Sequence, residues 1–472
     1  RMQHPAPRFS ARLAVATGGN PFFLLETLRA LCEQGTLRRD EQGVWHTPWD
    51  TADSDYQELP LPAELRQAID GRLRELPPHV RATLAAAAVL GQNFSPDTLA
   101  QMTTKDEGRR TKDEGRRTKD DRIAPVVSGH SPPVADQLLH SQFLVEERGG
   151  YRFGHSTLRE VIYGELDPPT RQALHLRAAE VLEQEHYARV EALAQHLYLA
   201  GAWDKAIPYL IEAGDHARAV CAYRDALHCY DQVIEACSSA ELEAIDAPTR
   251  WDIQLKRAAV AMLLGEYMLV IAAYEEVLRL AQHDQHASAP ARVGTRRGAQ
   301  IQALNGLCFV GGLTNDYDLA HRASRRAMAL AATSPRLSER AETYYQAGIV
   351  SFRRDDYDEA RALLEQARTL FESLDDQRGL AQCWFRLAWT ILRTDGATDQ
   401  AVGLLEQARE MYQSMSTQYE EHDCTIALAN ILLWRGQLQE AIRLSEASLP
   451  FFRASAARDK ASEAQIVRAE AL

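Results

Sequence analysis

The chain has 472 residues, 45% hydrophobic and 25% charged, an ordinary composition with length for several buried cores. Its 53 basic and 66 acidic residues leave a formal charge of −13, which repels a phosphate backbone and disfavours direct nucleic-acid binding by the chain as a whole. The longest uncharged apolar run, Ala82–Gly91, falls well short of the roughly 20 residues a membrane span needs, and no signal-peptide pattern opens the sequence.

Read in chain order, the first local signal is Ala16-Thr-Gly-Gly-Asn-Pro-Phe-Phe-Leu-Leu-Glu-Thr-Leu-Arg-Ala-Leu31. Gly18-Gly19-Asn20 breaks the backbone, Pro21 stands near the first position of a helix, and an amphipathic helix follows. On those residues alone the segment is a turn followed by a helix. Pro62–Leu73 and Pro78–Leu90 read as helices with proline near their starts, and Ser95-Pro-Asp-Thr fits the start of a short helix running to Met102.

The heptapeptide TKDEGRR then occurs twice in succession, at 104–110 and 111–117, and Thr118-Lys-Asp begins a third copy. The eight basic and six acidic residues of 104–122 nearly cancel and no apolar period accompanies them, so the insert at 103–133 reads as solvated low complexity. A tandem seven-nucleotide unit, ACGAAGG, read through three frames encodes this heptapeptide, and we expect the insert to carry no function. Beyond it, Val134–Ser141 reads as a further helix, and Leu144–Phe153 as a β-hairpin turning at Gly149-Gly150. Three helices followed by a two-stranded wing are the ingredients of a winged-helix-like domain. The helix at its reading position carries Asp136 and neither Lys nor Arg, which points to an intramolecular clamp rather than a major-groove reader.

From Leu182 onward the pattern is helical and repetitive. A small or polar turn residue is followed two positions later by an aromatic or large apolar residue, and three positions after that by alanine or a similar small residue. The units are Gly201/Trp203/Ala206, Gly265/Tyr267/Val270, Asn315/Tyr317/Ala320, Asp355/Tyr357/Ala360 and Gly436/Leu438/Ala441. Positions 206, 226, 270, 320, 360, 401 and 441 carry the small residue, with a period of about 40 over the last four. The turn residue stops one helix, the aromatic packs between the two helices of a hairpin, and the alanine admits close approach. Each unit then buries its apolar face only against its neighbours, as in an α-solenoid. These units resemble tetratricopeptide repeats with helices longer than the usual form.

TGGNPFFLLETLRAL closely resembles the Gly-x-Pro segment of STAND-class signalling ATPases, large regulators that include activators of the maltose-regulon type. The resemblance implies that this segment belongs to the helical lid after the nucleotide-binding core, with Gly19, Asn20 and Pro21 against the adenine. In related nucleotide-binding ATPases a winged helix follows the lid and ends in a Met-His-Asp type motif whose histidine reaches the β-phosphate of ADP. His155 matches that histidine, with Phe153-Gly154 before it and Ser156 in place of the aspartate; a simple capping histidine is the other reading. The resemblance covers roughly Ser10–Leu166, with the heptapeptide insert outside it, and Arg171–Ala236 resembles the linker and first repeats of these regulators.

The expected organisation is therefore mainly α: a lid remnant at 1–58, a winged-helix-like domain at 59–168, and a tetratricopeptide-like α-solenoid at 169–472. No G-x-x-x-x-G-K-[ST] loop, H-E-x-x-H, G-x-S-x-G or EF-hand pattern is present, so this chain alone should bind no cofactor, hold no metal and catalyse nothing. ATP or ADP would belong to a full-length protein, of which this chain, running from Arg1 into a helical pattern at Ala464–Leu472, reads as a piece. Seven scattered cysteines without a C-x-x-C pair read as small core fillers in a reducing cytoplasm. The expected partner is a protein or a small-molecule inducer on the solenoid, with nucleotide-dependent self-assembly of the full-length protein. Tyr344, Tyr345, Trp384, Trp389 and Trp434 are candidates either to line its groove or to fill the interhelical core. The alternative function is a free-standing repeat adaptor that never meets nucleotide.

Overall fold

The computed structural model describes residues 9, 13, 24–25, 28–29, 31–32, 37–39, 45–46, 69, 71–103, 132–141, 143–147, 149–154, 156–184, 189–238, 247–283, 290–396, 398–455 and 457–472. They fall into two compact units, residues 1–213 and 214–472. No described helix is long and apolar enough to cross a membrane.

In the first unit, strands β1 (Arg38–Arg39) and β2 (Trp45–His46) pair antiparallel beside a small core of Phe9, Leu13, Leu31 and Leu37. Helix α1 (Pro78–Leu90) leads through Gly91, at φ 120°, into β3 (Asn93–Phe94) and α2 (Pro96–Thr103). Proline begins α1 as the sequence predicts, because its missing N–H is one no helix start can use. The Ser95 hydroxyl accepts from the Thr98 N–H at 2.9 Å and caps α2. Helix α3 (Pro132–His140) is followed by β4 (Leu144–Glu147) and β5 (Gly150–Phe153), which turn at Gly149 with φ 85°.

The sheet order is β3-β5-β4, all antiparallel, with Phe94 opposite Tyr151 and Leu144 opposite Phe153. The two-residue β3 is too short to leave an alternating pattern, and it adds a third strand to the expected wing. Helix α4 (Ser156–Glu165) returns over α1, where the Arg159 guanidinium donates to the Ala88 carbonyl at 3.0 Å. Leu84, Leu138, Phe143, Phe153 and Leu158 are fully buried between these elements. These helices and the three-stranded sheet are followed by α5 (Pro168–Gln184) and α6 (Val190–Leu199), also within the first unit.

Helix α7 (Trp203–Ala219) ends in the second unit, which holds α8 (Tyr223–Ser238) and then helical hairpins. These are α9 (Ala247–Leu264) with α10 (Tyr267–His283), α11 (Pro290–Leu313) with α12 (Tyr317–Ala331), α13 (Leu337–Arg353) with α14 (Tyr357–Ser373), α15 (Gln377–Thr394) with α16 (Thr398–Ser414), and α17 (Gln418–Trp434) with α18 (Leu438–Ala454). Helix α19 (Arg458–Ala471) packs on α17 and α18. From α8 to α19 each helix packs against the next, and the first helices α9, α11, α13 and α15 also touch in succession, as an α-solenoid of tetratricopeptide-like hairpins requires.

The turn chemistry is uniform. Gly201, Gly265, Asn315, Asp355 and Gly436, the predicted turn residues, all have φ between 59° and 75°. Asp375 and Ser416 adopt the same conformation in turns between hairpins. Asp316, Asp356 and Asp376 then accept from backbone N–H groups three residues on and start α12, α14 and α15. The small-residue positions 206, 226, 270, 320, 360, 401 and 441 are at most 1% exposed.

The aromatic position differs from expectation. Tyr267, Tyr317 and Leu438 are 37%, 36% and 42% exposed, because each is the first residue of its helix and its side chain leans back over the turn. Tyr357 meets Phe352 edge to face at 5.4 Å, and the Tyr317 hydroxyl donates to Asn315 Oδ1 at 2.9 Å. The residue closes the turn from outside. Of the cysteines, Cys308, Cys383 and Cys424 fill the core, where burial pushes their thiols up. Cys221 is instead exposed, in a turn at φ 61°, and Cys229 and Cys237 are half-buried.

Candidate functional site

Gly19, Asn20, Pro21 and His155 lie outside the described residues. Around them, Leu24, Leu28 and Leu31 are helical and pack on Phe9 and Leu13, and Ser156 opens α4 directly after His155. On α3, Asp136, Gln137 and His140 are exposed.

One polar cluster in the first unit is buried. The Tyr163 hydroxyl lies 2.8 Å from His175 Nε2, and His175 Nδ1 lies 2.9 Å from His196 Nδ1, so one proton per link satisfies the chain in either direction. Burial first, and then the positive charges nearby, lower both imidazoles from 6.5 to about 4. Two neutral rings thus join α4, α5 and α6. Among the described residues no group of three or more metal-ligating side chains is assembled.

Among the described residues, one concavity belongs to the second unit. A groove of about 760 Å³ crosses the first helices of three successive hairpins, α9, α11 and α13. Its volume lies within the range of roughly 300–1,000 Å³ typical of ligand sites. Residues three and four apart share a helix face, so Gly298, Gln302, Asn305 and Phe309 form one stripe of α11. Trp251 and Asp252 reach it from α9, and Glu342 and Gln346 from α13. Gly306 admits the Tyr274 ring of α10 to the groove floor, since a Cβ at this position would stand 2.3 Å from the ring carbons.

Two buried polar atoms border this groove without a hydrogen-bond partner among the described residues: Trp251 Nε1 and Asn305 Oδ1. Trp251 is 2% and Asn305 8% exposed. The Asn305 amide donates to Thr343 Oγ at 3.2 Å; turning it over would satisfy the oxygen and leave the nitrogen free instead, so one amide atom is unpaired either way. Buried polar atoms are rarely left so, and neighbouring atoms cover both, so a ligand in the groove reaches them where Trp251 and Asn305 shift to expose them.

The groove's charges are mostly acidic. Asp252 lies 3.3 Å from Lys256, which is itself 2.6 Å from Asp215, and Glu339 pairs with Arg336 at 3.1 Å. Glu342 accepts from Gln346 Nε2 at 2.8 Å and has no cation within 4 Å among the described residues. Of the aromatic candidates read from sequence, Tyr345 is buried in the core and Tyr344, Trp384 and Trp389 pack against core clusters. Trp434 is 58% exposed and meets Trp389 edge to face at 6.1 Å. None of the five lines the groove, whose aromatic residues are Trp251, Tyr274 and Phe309.

With this geometry in place, the comparisons with known proteins bear on the repeats. The tetratricopeptide repeat pattern matches residues 339–414. That segment spans α13 to α16, two of the hairpins bordering or following the groove. An uncharacterized protein of Rhizobium meliloti is 30% identical over 111 residues, 22% of this chain and 11% of that protein. Among solved structures, a Signal Transduction ATPase with Numerous Domains carrying a tetratricopeptide repeat sensor, from Pyrococcus horikoshii, aligns at 10% identity and TM-score 0.43 over 98% of this chain and 59% of its own. Aspartyl phosphate phosphatase F from Bacillus subtilis aligns at 13% identity and TM-score 0.41 over 67% of this chain and 88% of its own. The chain thus spans about a tenth of the curated relative and about three-fifths of the Pyrococcus protein. The second unit is thus a solenoid of tetratricopeptide-like hairpins, within which residues 339–414 match the tetratricopeptide repeat pattern.

Proposed function

We propose that the chain is the sensing part of a STAND-type signalling ATPase or transcriptional regulator, in which the tetratricopeptide array receives a protein partner. The observation that carries the sensing role is the groove across α9, α11 and α13, with buried polar atoms left for a ligand to satisfy. The ATPase context is supported by the Gly19-Asn20-Pro21 segment, and by a winged-helix-like unit followed by His155 and then by repeats. In the complete protein the lid and wing would hold ADP in a closed state. A partner on the array would favour an open, ATP-loaded, self-assembling state by binding that state more tightly.

The test is ADP affinity of the full-length protein by fluorescent-nucleotide titration, with Pro21→Ala and His155→Ala variants. Loss of measurable affinity in either variant is the expected result. Unchanged affinity in both rejects the nucleotide role and leaves a free-standing repeat adaptor.

A further inference from the structure

The chemistry of the groove identifies the kind of segment it takes. Trp251 Nε1 is a donor in need of an acceptor, and the unpaired Asn305 amide oxygen is an acceptor in need of a donor. A peptide backbone presents a carbonyl and an N–H within one residue and answers both. Three neighbouring helices at about 9 Å spacing span about 20 Å, the length of about six residues of extended chain.

Three carboxylates border the groove, Asp252, Glu339 and Glu342, against one guanidinium, Arg336. Two of the carboxylates already have cations beside them; among the described residues Glu342 does not. An acidic segment would bring like charge to Glu342, whereas a basic side chain would supply its missing partner.

We propose that the groove binds an extended, lysine- or arginine-bearing peptide segment, its cation meeting Glu342 and its backbone amides meeting Asn305 and Trp251 as those side chains shift to expose their unpaired atoms. This rests on the reading of the groove as the array's binding surface. Tyr274, seated over Gly306, and Phe309 offer apolar contact to the stem of the same basic side chain.

The experiment titrates the whole chain, at 150 mM salt, with three fluorescein-labelled amidated octapeptides in which alanine alternates with lysine, glutamate or serine. The lysine peptide is expected to bind at least about tenfold more tightly than the other two, a difference of about 1.4 kcal/mol. Glu342→Gln and Asn305→Ala should each weaken it about five- to tenfold. Glu470→Gln, at an exposed acid on α19, should leave it unchanged and so exclude attraction to the net negative charge. Gln302→Trp, at an exposed position of the groove wall, should block it.

Glutamate-peptide binding as tight as the lysine peptide's, and blocked by Gln302→Trp, would overturn the basic ligand class while keeping the groove as a binding surface. Lysine-peptide binding indifferent to Glu342→Gln, Asn305→Ala and Gln302→Trp would overturn the site. If no peptide binds in a manner sensitive to Gln302→Trp, the groove reading fails together with the ligand class.

Discussion

Gly306→Ala and Gly403→Ala are the same substitution inside two helices of one array, and the structure predicts opposite outcomes. At Gly403 nothing lies within 4 Å of an added Cβ, so alanine should stabilise α16 by up to about 1 kcal/mol through helix propensity alone. At Gly306 the Cβ would stand 2.3 Å from two ring carbons of Tyr274 and 2.7 Å from its hydroxyl. Restoring an ordinary contact of about 3.5 Å moves the ring by about 1 Å within a packed helix pair, and overpacking of this kind costs about 1–3 kcal/mol. Because several ring atoms clash at once the upper end applies, and after the propensity gain Gly306→Ala should lose about 2 kcal/mol. Because each hairpin leans mainly on its neighbours, the suitable assay is native-state hydrogen exchange resolved by helix, with urea denaturation as the global measure. The loss should concentrate in α10 and α11. Equal stability of the two variants, or a more stable Gly306→Ala, would refute the claim that a glycine-on-tyrosine contact sets the spacing of these helices.

The His175 and His196 imidazoles titrate near 4 in the fold and near 6.5 when unfolded, so between those pH values the unfolded chain binds the extra protons. Stability of the first unit should therefore be full above pH 6.5 and fall towards pH 4, by about 3 kcal/mol for one imidazole at about 1.4 kcal/mol per pH unit. Thermal unfolding across that range should show this slope, and a double His175→Gln, His196→Gln variant should flatten it. Asp376→Ala removes the cap that accepts from the Gly379 N–H at 3.0 Å; exchange in the first turn of α15 should report a loss of about 1 kcal/mol. Ser416→Gly relieves a side chain held at φ 58° and should raise the urea midpoint slightly, by about 0.5 kcal/mol, whereas Ser416→Val should lower it.

Much of the fold was legible where one residue type answers one backbone need. Gly265, Asn315, Asp355 and Gly436 stand out in the sequence because left-handed turns select them, and positions such as Ala360 and Ala441 because nothing larger fits there. Asp375 and Ser416 turn the chain equally well but lack the aromatic two residues on, so the turns between hairpins were silent. Strand β3 was missed because two residues carry no period; only its pairing with Tyr151 and Arg152 reveals it. The groove was illegible for a different reason. Trp251, Asn305 and Glu342 come from three helices and converge only when the hairpins stack, and Asn305 reads in sequence as an unremarkable polar residue in an apolar run. Tyr345 and Trp389, conspicuous in the sequence as large aromatic residues, pack the core instead.

Hydrogen exchange of the whole chain with and without the alternating alanine–lysine peptide locates a bound segment without presupposing its contacts. Binding in the groove adds protection concentrated in Ala247–Leu264, Pro290–Leu313 and Leu337–Arg353, the three helices whose faces form it. Protection spread evenly over the array, or centred on α15 to α19, would contradict it.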